Sequence, residues 1–218
     1  MKRKLIITDD GSHTFFIENL KENYHSTFGA VEEAIEVFIK SAFLFCKKKE
    51  ISILEIGFGT GLNAYLTFLK NQELSKKIFY RGIELYPIPY NEIEKLNYSK
   101  IFFQKNADFF EKIHISEWNK KVEIDKNFFL EKMEINLENY KSDKKFDIIY
   151  FDAFAPDVQK EMWSSEIFQN LYNILNKNGI LTTYSAKGLI KRRLKKIGFK
   201  LEFLKHPHKR EMIRAIKN

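Results

Sequence analysis

The chain has 218 residues, 44% hydrophobic and 15% aromatic, with 21 phenylalanines and few glycines or prolines. This excludes a disordered chain or one with long flexible linkers, and the length suits a single domain. Lysine and arginine total 37 against 29 acids, giving +8 and a pI near 9.3; that suits a polyanionic partner such as nucleic acid, although lysines scattered for solubility give the same total.

Leu5-Ile6-Ile7 and Phe15-Phe16-Ile17 flank the turn-like Asp9-Asp10-Gly11-Ser12 and predict a hairpin. The apolar run ahead of that turn is too short for a signal peptide. Apolar residues then recur at helical spacing from Ala30 to Phe43, predicting an amphipathic helix over about 29–46. Its Cys46 is the sole cysteine and reads as a small buried hydrophobe. With no internal disulfide possible, a reducing, cytoplasmic location is expected. After Lys47-Lys48-Lys49 come a strand at 51–56, a glycine-rich turn and a helix over 62–69. A strand at 78–85 is ended by Pro87 and Pro89. Helical patterns follow near 90–96 and 107–115, and 122–137 is open between strands and loop. A buried strand at 146–151, a helix at 164–175, a strand at 180–184, a basic helix at 189–197 and strands at 201–204 and 211–216 complete the chain. No stretch has the apolar length to span a membrane.

Alternating strands and helices predict an α/β fold with a doubly wound, mostly parallel sheet. The short link 205–210 cannot hold a crossover helix, so the last two strands are expected to be antiparallel. That is the class I methyltransferase arrangement. We expect one domain, with a hairpin-and-helix extension over 1–47 and a Rossmann-like core over 48–218.

Glu55-Ile56-Gly57-Phe58-Gly59-Thr60-Gly61-Leu62-Asn63 joins a strand to a helix. Glycines at alternate positions let backbone approach a ligand, and the helix start offers free N–H groups. The spacing departs from the dinucleotide pattern Gly-x-Gly-x-x-Gly. Glu55 disfavours a pyrophosphate and suits the cationic sulfonium end of S-adenosyl-L-methionine; a plain tight corner is the other reading. Glu84 ends the next strand, where an α/β nucleotide site needs a carboxylate for ribose hydroxyls; an ordinary surface acid is the alternative. Asp152 follows the apolar 148–151 run, at the carboxyl end of its strand. Beside the aromatic Phe154 and Pro156, it suits an amine nucleophile, whose lone pair it can orient. It can instead cap the helix near Ser164. Asp147, at the opposite end of that strand, reads as structural.

These residues resemble the methyltransferase domain of the MnmC family and its stand-alone form, MnmD. The resemblance rests on Glu55 to Asn63 with Asp152-Ala153-Phe154-Ala155-Pro156 and Glu161-Met162-Trp163. Tyr184-Ser185-Ala186-Lys187-Gly188, Lys209-Arg210-Glu211-Met212 and Tyr24-His25-Ser26-Thr27-Phe28-Gly29-Ala30 with Glu32-Glu33 extend it. It implies methylation of 5-aminomethyluridine, or its 2-thio form, at the tRNA wobble position, leaving S-adenosyl-L-homocysteine. It implies tRNA as partner through the anticodon region, no flavin, no metal, no membrane, and no fused oxidase domain of the kind bifunctional relatives carry.

The residues expected to hold the cofactor are Glu55, Gly57, Gly59, Gly61, Asn63, Glu84, Asn136 and Asp152, with Glu134 the alternative to Asn136 at the adenine. Tyr24, Phe154, Pro156, Lys209 and Arg210 are expected on the substrate side, where Tyr24 and Phe154 can stack on a splayed base or belong to the core. Asp152 is the expected catalytic residue, chiefly for orientation and charge stabilisation, because an ordinary aspartate, with a pKa of about 3.9, is a weak base. Lys191-Arg192-Arg193, Lys195-Lys196 and the histidines His206 and His208 are candidates for RNA phosphates or a solvated face. Methylation of an amine on a small molecule or protein, and a non-catalytic RNA-binding module, remain the alternatives.

Overall fold

The computed structural model describes residues 2–101, 107–205 and 211–218. Strands β1 (Arg3–Ile7) and β2 (His13–Ile17) form the expected antiparallel hairpin, with Leu5 opposite Phe15. A short β3 (Glu22–Asn23) completes a three-stranded sheet. In the hairpin turn, Asp10 accepts the Ser12 N–H at 3.0 Å and the N–H groups of Val31 and Glu32 at 3.1 Å each. These last two belong to the open first turn of α1 (Ala30–Ala34), so one carboxylate closes the turn and caps the helix.

The helix expected over 29–46 changes character after Ala34. Residues Ile35–Phe43 are π-helical. The hydroxyls of Ser41 and Thr182 both donate to the Val37 carbonyl, which in an α-helix would receive the Ser41 N–H. The widened turn packs against the large sheet and against α2 (Leu62–Leu74).

That sheet has eight strands. In chain order they are β4 (Glu50–Ile56), β5 (Lys77–Glu84), β6 (Lys121–Asp125), β7 (Phe128–Glu134), β8 (Phe146–Phe151), β9 (Leu175–Thr183), β10 (Phe199–Lys205) and β11 (Glu211–Lys217). Across the sheet the order is β10-β11-β9-β8-β4-β5-β7-β6. Strands β9, β8, β4, β5 and β7 are parallel; β6, β11 and β10 run antiparallel to their neighbours. The ambiguous 122–137 stretch thus holds the β6–β7 hairpin. Helices α3 (Tyr90–Ile93), α4 (Tyr98–Ile101) and α5 (Ala107–Ile115) connect β5 to β6, while α6 (Ser165–Ile174) and α7 (Gly188–Ile197) flank β9. One core joins Ile53, Tyr80 and Ile148 to α1, α2 and α5; the other joins Leu54, Ile149 and Leu181 to α6 and α7. Strand β8 is buried along its whole length, as an apolar run covered on both faces must be. Among the described residues, no helix is long and apolar enough to cross a membrane.

From β4 the chain crosses to β5 on one side and later returns to β8 on the other. A crevice therefore opens where the carboxyl ends of β4 and β8 meet.

Candidate active site

The crevice holds a cavity of about 390 Å³, within the size range of small-molecule sites. Gly57, Gly59, Asn63, Glu84, Asn136, Asp152, Phe154 and Tyr24 all line it, so the structure brings together the glycine turn, the β5 acid and the β8 loop.

Gly57 links the two central strand ends. Its N–H and that of Phe58 both donate to the Ile83 carbonyl at 3.0 Å. Its φ is +85°, and a Cβ there would lie 2.4 Å from the Asp152 carbonyl oxygen. No other residue type fits both constraints. Glu84 then ties the corner to β5, accepting the Gly59 N–H at 3.0 Å and the Tyr86 N–H at 2.9 Å.

Asp152 does not cap the α6 helix; Ser164 does so itself, accepting the Ile167 N–H at 3.2 Å. The Asp152 side chain instead accepts from Asn63 Nδ2 at 2.8 Å. Burial pushes its pKa up to about 7; the Asn63 hydrogen bond opposes the rise and the negative Glu33 adds to it. The sequence reading of a weak base is therefore corrected: near neutrality this carboxylate can take a proton. The loop that carries it is pinned from below, because Trp163 Nε1 donates to the Phe154 carbonyl at 2.8 Å and the Tyr184 hydroxyl to the Ala153 carbonyl at 2.9 Å.

Tyr24 packs over Gly59 and meets Phe154 edge to face, with ring centroids 5.2 Å apart. Arg3 Nε donates to its hydroxyl at 3.1 Å and so fixes the ring from the first strand. Asn136 begins a 3₁₀ turn (Leu137–Asn139), its Oδ1 accepting the Glu138 N–H at 3.0 Å, and lines the cavity. Glu134 is exposed and does not, which favours Asn136 over Glu134 as the residue beside an adenine.

Three expectations need correction. Glu55 does not line the cavity: it is fully buried and takes hydrogen bonds from Asn63 Nδ2 and the Tyr80 hydroxyl, each at 2.8 Å. Burial raises its pKa well above the usual range, and from behind the cavity wall it does not face a ligand as the sulfonium argument required. Gly61 also lies off the cavity. It starts α2 with φ +70°, and a Cβ there would meet the buried His114 ring at 2.8 Å. Pro156 is buried and likewise off the cavity. Lys209, Arg210, His206 and His208 lie outside the described residues. On α7, Lys191 pairs with Glu211 at 2.5 Å and Arg193 donates to the Trp163 carbonyl, so two of its cations have internal partners.

Sequence reasoning missed Glu22, Asn23, His25, Glu33, Gln159 and Met162, which also line the cavity. Most come from the N-terminal extension or its helix, and nothing in their local pattern aims them at a site on the sheet. The available signals were the Tyr24–Ala30 and Glu32-Glu33 likeness to the stand-alone form and, for Met162, the Glu161-Met162-Trp163 motif.

An open α/β sheet with a ligand-sized cavity over a glycine corner at its switch point defines the class I methyltransferase architecture. The chain belongs to the S-adenosyl-L-methionine-dependent methyltransferase family, whose model matches residues 94–218. It is 29% identical, over 98% of its length, to the tRNA 5-methylaminomethyl-2-thiouridine biosynthesis bifunctional protein MnmC of Campylobacter jejuni. It is 28% identical, over 90% of its length, to MnmC of Leptospira interrogans. The chain spans 36% and 32% of those proteins, about a third of the length of the curated relatives it matches. Among solved structures, MnmC2 from Aquifex aeolicus superposes with a TM-score of 0.75 at 22% identity, over 98% of this chain and 70% of that one. The S-adenosylmethionine-bound amino pentose methyltransferase CalS10 of Micromonospora echinaspora gives 0.51 at 11% identity, over 87% and 92%. The likeness to MnmC and the expected fold class are borne out by these matches.

Proposed function

We propose that this chain transfers a methyl group from S-adenosyl-L-methionine to the primary amine of 5-aminomethyluridine, or its 2-thio form, at the wobble position of tRNA. The observation that carries this reading is Asp152: a carboxyl in the cavity wall, held by Asn63 and titrating at about 7. The names of the MnmC relatives support the choice of tRNA, and the net charge of +8 suits a polyanion.

The residues present fit the cofactor. Gly57 and Gly59 line the cavity with backbone alone, where its amino-acid portion would lie, Glu84 offers carboxylate oxygens for ribose hydroxyls, and Asn136 offers an amide for the adenine. When bound, the cofactor supplies an electrophilic methyl on a cationic sulfur. The protein's task is then to present a neutral amine. An alkylamine with a pKa of about 10.4 arrives protonated, and its lone pair is unavailable until a proton leaves. Asp152, ionised above about pH 7, accepts that proton and leaves the nitrogen neutral, with its lone pair free to attack. Tyr24 and Phe154 supply aromatic faces and edges for a base turned out of the anticodon stack.

The test is transfer of labelled methyl to tRNA taken from cells blocked at the aminomethyl stage, followed by nucleoside analysis. Label in 5-methylaminomethyluridine supports the reading. Label that survives RNase treatment places the amine on a protein or small molecule, and binding of the cofactor without any transfer leaves a non-catalytic module.

A further inference from the structure

Arg3 opens β1, yet its side chain is only 4% exposed and its guanidinium reaches three separate segments. Nε donates to the Tyr24 hydroxyl at 3.1 Å, one terminal nitrogen to the Glu92 carboxylate of α3 at 3.4 Å, and the other to the Tyr86 carbonyl at 3.3 Å. A charge taken out of water needs its N–H bonds met, and a guanidinium holds its donors in a rigid planar fork. The three partners are therefore fixed relative to one another.

Two of them line the cavity on different sides of its chemistry. Tyr24 lies over Gly59 and against Phe154, on the side expected for the substrate base. Tyr86 stands two residues beyond Glu84, and its N–H donates to Glu84 Oε1 at 2.9 Å, while Oε2 accepts the Gly59 N–H at 3.0 Å. The contacts close a ring: Arg3 to Tyr86, Tyr86 to Glu84, Glu84 to Gly59, and Gly59 beneath Tyr24, which returns to Arg3. The same groups share one electrostatic environment. Burial raises the pKa of the Tyr24 hydroxyl, the Arg3 bond and charge oppose the rise, and the charges of Glu84 and Glu92 add to it. Tyr86 is 54% exposed and lies outside the sheet ladder, so a bond from Arg3 to its carbonyl restrains a stretch that burial does not.

We propose that Arg3 is a positioning residue for both halves of the site: through the Tyr24 hydroxyl it sets the ring that receives the substrate base, and through the Tyr86 carbonyl it holds the strand end that presents Glu84 to the cofactor ribose. This rests on the function reading given above. The N-terminal sheet is then part of the site's frame, and a single side chain sets the substrate wall and the cofactor wall at a fixed separation. Binding is what this separation governs. Asp152 lies outside the ring of contacts, so the proton-transfer step is left largely intact.

The experiment compares Arg3→Ala, Tyr24→Phe and the double variant with the unaltered protein. Calorimetry measures affinity for S-adenosyl-L-homocysteine, and steady-state transfer to tRNA carrying the aminomethyl base measures kcat and KM. Thermal unfolding confirms that each protein is folded at the assay temperature; should Arg3→Ala not be, Arg3→Lys, which keeps the charge but not the fork, takes its place with the same expected pattern. Tyr24→Phe keeps the ring and removes only the bond to Arg3. It should raise KM for tRNA at least threefold and leave cofactor affinity within twofold. Arg3→Ala should raise KM by at least as much and also weaken cofactor binding at least threefold, with kcat lowered less than threefold in both. In the double variant the KM should match that of Arg3→Ala within twofold, because both changes cut the same link. A brace that only stabilises the hairpin would lower the unfolding temperature and leave affinity and KM unchanged, and that outcome overturns the proposal. It is also overturned if the two losses in KM multiply, or if Tyr24→Phe weakens cofactor binding as much as Arg3→Ala does. If the unaltered protein methylates no tRNA amine, the function reading has failed and this inference falls with it; failure of these ratios alone leaves that reading standing.

Discussion

Strand β8 carries an aspartate at each end, and their surroundings are opposite in kind. Asp147 faces Lys48 Nζ at 2.5 Å, the Ser52 N–H at 2.9 Å and Asn176 Nδ2 at 2.8 Å. Its charge is matched by a cation and two further donors, and it joins β4, β8 and the start of β9. Asp152 has one amide donor and the field of Glu33, and burial drives it toward the neutral acid. The same side chain on one strand is a rivet where donors converge and a titrating group where they are withheld. The carboxyl ends of parallel strands stay open because the loops that leave them diverge at the switch point, whereas the amino ends are closed by short connections.

Removing the titrating end should have the largest effect. Asp152→Ala is expected to lower kcat roughly 10²- to 10⁴-fold while calorimetry shows cofactor binding retained; normal turnover would sink the role assigned to it. Next comes the junction between the corner and the Asp152 loop. Gly57→Ala combines a left-handed φ with a Cβ 2.4 Å from the Asp152 carbonyl. It should cost at least about 2 kcal/mol in denaturant unfolding and weaken cofactor binding as well, a double effect that Asp152→Ala lacks.

At the rivet end, Asp147→Ala should destabilise by about 2 kcal/mol, chiefly through the Ser52 and Asn176 donors left without a partner. Lys48 is half-exposed and contributes little. Steady-state kcat and KM should stay near their unaltered values, and a large change in kcat would erase the contrast between the two ends. The smallest effect is in pH. Asp152 holds its proton up to about pH 7 in the folded state, against 3.8 ordinarily. Its contribution to stability therefore declines as pH rises from about 4 to 7 and is level above that. Asp152→Asn should remove this part of the slope and raise the melting temperature at pH 8 by a few degrees, with Glu55 retaining a slope of the same sign. In the unaltered protein, kcat/KM should climb through about pH 7 as the carboxylate forms.

Much of the site was legible because its parts are local. The Gly57–Gly61 turn and Glu84 stand at the ends of strands that short-range patterns identify, and Asp152 ends the plain apolar run of β8. Reading failed where a residue's surroundings come from elsewhere. Glu55 looks like a charge beside a ligand until Tyr80 and Asn63 enclose it. Gly61 looks like part of a cradle until His114, from α5, explains the missing side chain. The π-helical turn of the first helix was invisible because Thr182, on β9, supplies the bond that favours it.

The chain's own order of apolar runs, glycines and strand-end acids determined the α/β class, the strand ends that carry the site and the likeness to a methyltransferase family, since each depends on residues near one another along the backbone. Tertiary structure alone decided that Asp152 titrates near neutrality, that Glu55 is enclosed in the core, and that the N-terminal sheet and helix bring Tyr24 and Glu33 to the cavity. Burial and charge–charge coupling depend on atoms distant in the chain, and no local pattern encodes them.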